Sequence, residues 1–550
     1  MRISFADCIV DPARRELRRD GQLVPIEPRI YELMMYLVEH RERAVGKDEL
    51  QNAVWGTVVT DSAMTRAVMK LRKAIGDRTD SVGIVKTVPR FGYRFAAEVV
   101  REDNSAQELP NDGDSDARSG IAVLPLMNMS DDPDNDYFAD GIAEEILNAL
   151  TKIPDLRVAS RTSSFTFRNS TKTLREIADV MNVETILEGS VRKSGKRVRI
   201  TMQLIDAKTD THLWSEIYDR ELADIFEVQA EIAREVVSSI LGSSVIDIPV
   251  YVATEDPKAY EYYLQGRQLS HLWDRGCLQR AGQLFRRAIE IDPDYARAWA
   301  GLADMASMTY MWWDQSDDLL REAEASSQRA LDLAPELAES HTAKAFALTL
   351  SRDFSAATAA FERAIEIDPL LYEARYLYGR AKFAEGDYEE AARQFEEAGR
   401  LRSDDYQSVA LASTAMDAAK DKDAAQAYAA EAVRRAERAV SVNPEDTRAW
   451  TLGACNLAEI GEYDRGVEWV ERALEIAPED VGVLHNAGCF FSAGGDVDRA
   501  LDLFERRLAI ADIYQEWIDN DVDFDAIRQH PRFIAMLEKR RQQSQERESE

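Results

Sequence analysis

Apolar residues recur along most of this chain with a helical period; elsewhere they alternate or run together. In PRIYELMMYLVEH (28–40), Ile30, Leu33, Met34 and Leu37 fall at helical spacing and predict an amphipathic helix. KDELQNAVW (47–55) predicts a second, shorter helix, and residues 3–9 and 22–26 alternate as short strands. TDSAMTRAVMKLRKAIG (60–76) predicts a third helix, with Asp61 or Ser62 able to cap its start and Gly76 to end it. At about 100° per residue, Met64, Val68, Leu71 and Ile75 share one side. The other side carries Ser62, Arg66, Met69, Lys70 and Lys73, with Thr65 and Arg72 on its flanks. One side is built to pack; the other is cationic and hydrogen-bonding. KTVPRFGYRF (86–95) then reads as strand, tight turn, strand, with Arg90 at the tip and Gly92 where the backbone bends.

Further along, GIAVLPLMN (120–128) predicts a buried strand and YFADGIAEEILNALTKI (137–153) an amphipathic helix. More strand and helix, a hairpin group around Ser194-Gly195 and a closing helix at 225–241 complete an α/β unit over 120–245. From about 255 the pattern is helical and repeating. FRRAIEIDP (285–293), FERAIEIDP (361–369) and VERALEIAP (470–478) are near copies, and SQRALDLAP (327–335) and AERAVSVNP (436–444) looser ones. Their prolines are 42, 34, 75 and 34 residues apart; the long interval holds a further copy, FEEAGRLRS (395–403), and FERRLAIAD (504–512) is the last. Extra residues around Met311–Asp318 and Lys420–Gln426 enlarge the second and fifth units. About seven helix pairs are expected over 255–540. Each buries its apolar stripe against its neighbours, so the array winds into a superhelix with a concave groove. Residues 541–550 read as a polar tail.

Charge separates these regions. Residues 1–100 hold 17 Lys/Arg against 14 Asp/Glu, a net of +3, while the remainder carries −35 of the overall −32. Between them, 101–119 is polar and acidic and reads as a flexible linker. A signal pattern is not evident after Met1, and no apolar run is long enough to span a bilayer, so a cytoplasmic protein without membrane attachment is expected. The four cysteines (Cys8, Cys277, Cys455, Cys489) have no metal-site or redox-motif spacing and read as free thiols. No phosphate-binding glycine motif and no nucleophile–base pair stands out; His212 is isolated, and Asp140, Glu144 and Glu145 suit the start of a helix. No enzyme, metal or cofactor is therefore expected.

The order of elements in residues 3–97, with VW, LRKAIG and TV…GYRF at its joints, resembles the OmpR/PhoB-type winged-helix DNA-binding domain. The resemblance implies that the third helix enters the major groove of double-stranded DNA while the hairpin wing touches the adjacent groove or backbone. Ser62, Thr65, Arg66 and Met69 would face base edges, with Arg66 able to pair with guanine and Met69 to touch a thymine methyl. Lys70, Arg72, Lys73, Thr87, Arg90 and Tyr93 would contact phosphates. The Pro89-Arg90-Phe91 turn departs from the glycine-containing turn common in the family, and no receiver domain is expected ahead of the reader, an arrangement like that of ToxR, CadC and HilA. Residues 120–245 resemble the TolB amino-terminal-like domain through AVLPL and ADGIAEEI. The repeats resemble tetratricopeptide repeats, whose ligand-facing positions fall here on Tyr263, Arg267, Phe346, Tyr376, Arg380 and Phe383. Those residues would hold a protein partner or peptide, with RNA polymerase one candidate; a dimer on DNA is compatible with the reader. The expected fold is multidomain α+β and all-α: a winged helix-turn-helix (1–100), a small α/β domain and an α-solenoid. The expected function is a one-component, sequence-specific transcriptional regulator. The alternative is a signalling scaffold whose winged helix and repeats bind proteins.

Overall fold

The computed structural model describes the chain apart from residues 1, 6–7, 12–15, 20–21, 25–27, 42, 51–60, 78–83, 89–90, 98–99, 103–118, 131, 133–134, 154, 169, 243–253, 273 and 550. The expected linker therefore lies almost wholly outside the described residues. The chain forms two compact units, Met1–Ser115 and Asp116–Glu550.

In the first unit an antiparallel sheet runs in the order Gln22–Val24, Glu16–Arg19, Cys8–Asp11, Arg2–Phe5, Val100–Glu102. Glu16–Arg19 is a strand that alternation did not reveal, because ELRR is too charged to read as one. A second sheet pairs Gly92–Phe95 with Val45–Gly46 and with Val85–Val88, all antiparallel. The helices Pro28–Glu39 and Asp61–Ala74 close a core in which Ile30, Leu33, Met34 and Leu37 meet Met64, Val68, Leu71 and Ile75, each at most 5% exposed. Both helical faces are the ones periodicity selects. Of the expected second helix, Lys47–Leu50 is helical, and the rest lies outside the described residues.

The second unit begins with a six-stranded sheet whose path is Leu156–Val158, Ser119–Val123, Thr185–Ser194, Arg197–Asp206, Thr211–Glu221, with Met127–Asn128 beside Thr185–Ser194. Its amino-terminal side is parallel and its far side antiparallel. The 120–128 segment makes two strands, not one, separated by Leu124–Leu126 around Pro125. Alternation along Ser119–Val123 sends Ile121 and Val123 into one core, with Phe138, Ile142 and Ile146 of helix Asp136–Thr151. Ala122 goes into another, with Ile177 and Ala178 of helix Leu174–Met181.

Among the described residues, fourteen helices follow between Pro257 and Ile510. In two repeats the small-residue position has a mechanical cause. A Cβ on Gly379 would come within 2.7 Å of the Phe395 ring, and one on Gly488 within 2.7 Å of Phe504, so only glycine lets the paired helices close on the aromatic. Most extra residues lengthen helices instead of loops: Lys422–Val442 has 21 residues against 14 for Phe354–Ile367. Within the expected polar tail, residues 541–549 belong to helix Pro531–Ser549. Among the described residues, no helix is long and apolar enough to cross a membrane.

Candidate nucleic-acid interface and repeat interior

In the first unit, helix Asp61–Ala74 buries Met64, Ala67, Val68 and Leu71 and leaves Met69 62% exposed, with Lys70 and Lys73 exposed beside it. Ser62, Thr65 and Arg66 belong to the same helix, but their side chains lie outside the described residues, as does Arg90 entirely. The helix ends at Gly76, which adopts φ +69°, with Asp77 N donating to Arg72 O at 2.9 Å. Arg19 Nη1 donates to the carbonyls of Lys73 (3.4 Å) and Ala74 (3.3 Å), placing a cation at the negative end of the helix dipole.

The wing is bolted to this helix by two residues. The Arg72 guanidinium donates to Val85 O at 2.7 Å and 3.2 Å and to Thr87 Oγ1 at 2.9 Å. The Asp77 carboxylate accepts from Ile84 N at 3.0 Å and Val85 N at 2.8 Å. Arg72, expected to contact phosphate, has its hydrogen bonds directed inside the domain and positions the wing. Tyr93, also expected at a phosphate, is 4% exposed and packs in the core. Gly92 is needed for close approach, since a Cβ there would penetrate the Val45 carbonyl. Lys86, Thr87 and Arg94 stay exposed on the hairpin. Among the described side chains the helix thus presents Met69, Lys70 and Lys73, and the hairpin Thr87 on the side of Arg72, while Lys86 and Arg94 pair across its other face.

In the second unit the expected groove residues divide into two groups. Tyr263 (5% exposed) packs between Phe285 and Tyr295, and Phe346 (1%) is core. Arg267 is bonded to Glu144 of the α/β region, whose carboxylate also meets Arg161 Nε at 2.9 Å and His271 Nε2 at 3.1 Å. Burial alone would raise the Glu144 pKa; His271, Arg267 and Arg161 outweigh it and hold the group well below the usual carboxylate range. Beside it, Asp140 pairs with Arg168 and accepts from Gln268 Nε2 at 3.2 Å, and Glu145 meets Arg297 at 3.3 Å. These groups join the α/β region to the first repeats, so Tyr263, Arg267 and Phe346 are not a ligand surface. The early helix carboxylates act as partners of arginines rather than through the dipole alone.

Tyr376, Arg380 and Phe383 do line the concave interior, but the chain itself occupies it. After the last repeat, Asp512 N donates to Trp313 O at 3.1 Å, and the fully buried Arg507 donates to Trp312 O at 3.1 Å. Tyr514 OH then donates to Thr349 O (3.3 Å) and Asn520 Nδ2 to Ala384 O (2.8 Å). Helix Gln515–Asn520 thereby crosses the inner face, and Trp517 stacks edge-on to Trp312 at 4.7 Å between centroids. Arg380 lies 4.6 Å from the Trp517 ring and donates to Tyr376 OH at 3.1 Å. A cavity of ≈ 80 Å³ is left, bounded also by Arg448, Asn456, His485, Cys489, Asp521 and Asp523. Periodicity could identify the inner face but not the segment that fills it.

Residues 21–95 match the family model described as "Transcriptional regulatory protein, C terminal", and residues 348–416 match a tetratricopeptide-repeat model. The chain carries an OmpR/PhoB-type winged-helix domain and tetratricopeptide repeats. Among its relatives, "Putative adenylate cyclase 3" of Rhizobium meliloti (strain 1021) is 37% identical over 249 residues, 44% of this chain and 42% of that protein. "Transcriptional activator CadC" of Escherichia coli (strain K12) is 29% identical over 18% of this chain and 20% of its own length. "Phosphate regulon transcriptional regulatory protein PhoB" of Pseudomonas aeruginosa is 30% identical over 18% of this chain and 42% of its own. The chain thus spans less than half of each of these three relatives. The winged-helix domain, the six-stranded α/β region and the repeats make up the mixed α/β and solenoid architecture described above.

Proposed function

We propose that this protein is a one-component, sequence-specific DNA-binding transcriptional regulator. The observation that carries the reading is the cationic face of helix Asp61–Ala74, locked to its hairpin by Arg72 and Asp77, within a domain that matches a transcriptional regulatory family. In this reading Ser62, Thr65, Arg66 and Met69 face base edges. Lys70, Lys73, Thr87 and Arg90 contact phosphates. Residues 120–245 are read as a TolB amino-terminal-like domain joined to a repeat array that receives a signal or a partner protein, RNA polymerase being one candidate. The cyclase name belongs to a relative of which this chain matches 42%, and we assign no catalysis to this chain.

A salt titration of promoter-fragment binding by the full chain tests the proposal. Counterion release predicts a steep linear fall of log K with log salt, and Lys70→Ala or Lys73→Ala should each flatten the slope by about one. A second reading, a scaffold that binds protein through its winged helix, draws on the exposure of Met69 (62%) and Phe91 (52%) on that unit. A flat salt response would favour the scaffold and remove the DNA reading.

A further inference from the structure

The cavity inside the repeats has a chemistry that neither DNA binding nor the peptide-groove reading uses. Helix Val481–Ala493 carries His485 and Cys489, spaced to share one face. Helix Thr447–Glu459 brings Asn456, and the crossing segment brings Asp521 and Asp523, the latter in the 3₁₀ turn Val522–Phe524. All five line the same cavity. The Cys489 sulfur and one oxygen each from Asp521 and Asp523 lie within 4.8 Å of one another. Donors 2.0–2.3 Å from one metal ion stand roughly 3.3–3.8 Å apart in a tetrahedral site, so sub-ångström side-chain movements would complete the geometry.

Two further observations point to a ligand here. His485 Nδ1 and Asn456 Oδ1 are buried without a hydrogen-bond partner, in residues 6% and 3% exposed. Such groups are costly to leave unpaired. In addition, negative charge gathers around Asp523. The carboxylates of Asp521, Asp417, Glu459 and Asp525 are its neighbours. Lys422 is paired with Asp417 and Glu459, and Arg528 stands near Asp521. The guanidiniums of Arg380 and Arg448, which also line the cavity, stack on Trp517 and Trp312 respectively.

We infer that Cys489, Asp521 and Asp523 bind a divalent cation of the Zn²⁺ class, with water in the fourth position. One thiolate and two carboxylates suit a borderline cation better than Mg²⁺ or Ca²⁺. The two hydrogens of the bound water are accepted by His485 Nδ1 and Asn456 Oδ1, which supplies the missing partners of both. Cys489 comes from the last repeat helix pair and both aspartates from the crossing segment, so the ion clasps that segment against the inner face. The site stands whether or not the chain binds DNA.

The test is Co²⁺ titration of the chelator-stripped full chain. One Co²⁺ per chain should bind with a thiolate-to-cobalt charge-transfer band, and Zn²⁺ should displace it. Cys489→Ser should abolish the band, whereas Cys277→Ser, altered in helix Arg275–Ile291, should leave it unchanged. Asp523→Asn, with helicity checked by circular dichroism, should weaken Co²⁺ by more than the roughly 10–100-fold typical of an outer-shell loss. Absence of the band in the unaltered chain, its survival in Cys489→Ser, or unchanged affinity in a folded Asp523→Asn chain would each overturn the site.

Discussion

On helix Asp61–Ala74 of the first unit, Lys70 and Lys73 stand out from a packed apolar face, whereas in residues 116–550 several arginines turn inward. Arg507 caps backbone carbonyls while fully buried; Arg540 holds Asp512 at 2.6 Å; Arg267 and Arg161 converge on Glu144. The contrast teaches that net charge says little about where cations are available. Residues 1–100, of net +3, offer a cationic face, while the acidic remainder uses much of its arginine as internal fastening.

The sharpest way to break this comparison is Glu144→Ala. It removes the carboxylate from Arg161, Arg267 and His271 at the joint between α/β region and repeats. A fully sealed pair would lose about 3–5 kcal/mol; because the arginines and His271 keep partial solvent access, about 2–4 kcal/mol is expected, read from urea unfolding of the helical signal. Removing an inward arginine from the first unit should have a smaller effect. Arg72→Ala deletes the bonds to Val85 and Thr87 and should cost about 1–2 kcal/mol of that unit's stability. Lys70→Ala on the exposed face should stay within about 0.5 kcal/mol while still flattening the salt slope. If Lys70→Ala destabilised as much as Arg72→Ala, the division between fastening and contacting cations would fail.

A pH test sharpens the same contrast within the acidic unit. Asp304 keeps partial solvent access, but its Oδ1 is sealed without a partner, and burial pushes its pKa up to about 7, with Arg267 offsetting only part. The folded chain then holds a proton that the unfolded chain has already released. Stability from this group should fall as pH rises from about 4 to about 7, and the loss is complete above that. Asp304→Asn should remove the dependence, gaining on the order of 1–2 kcal/mol at pH 8 relative to pH 5, measured as the shift of the urea midpoint at each pH.

Much of the architecture was legible beforehand because helical and strand periods are local properties. Met64, Val68, Leu71 and Ile75 had to share a face, and the near copies ending in prolines had to stack. Site residues were less legible. Arg72 and Lys73 are neighbours on one helix, and nothing in their spacing tells that the first reaches back to Val85 O. Tyr93 alternates in a strand where either face could be the solvent side until Gly92 fixes the approach to Val45. The cysteines fail every short-spacing rule, yet Cys489 lies beside Asp521 and Asp523 because the chain returns across its own groove.

Local pattern by itself determined the helices Pro28–Glu39 and Asp61–Ala74, the hairpin at 86–95, the repeating helices and the division of charge at about residue 100. Those follow from which side chains each turn or pleat must bury. Only the tertiary structure decided what each buried face meets: Glu144 against Arg267, Trp517 against Trp312, and residues 512–524 in the groove expected to stand open. The reason is physical. Apolar periodicity specifies a face, but an ion pair or a crossing segment is chosen by distance and desolvation between residues far apart in the chain, and neither is written in the spacing of either partner.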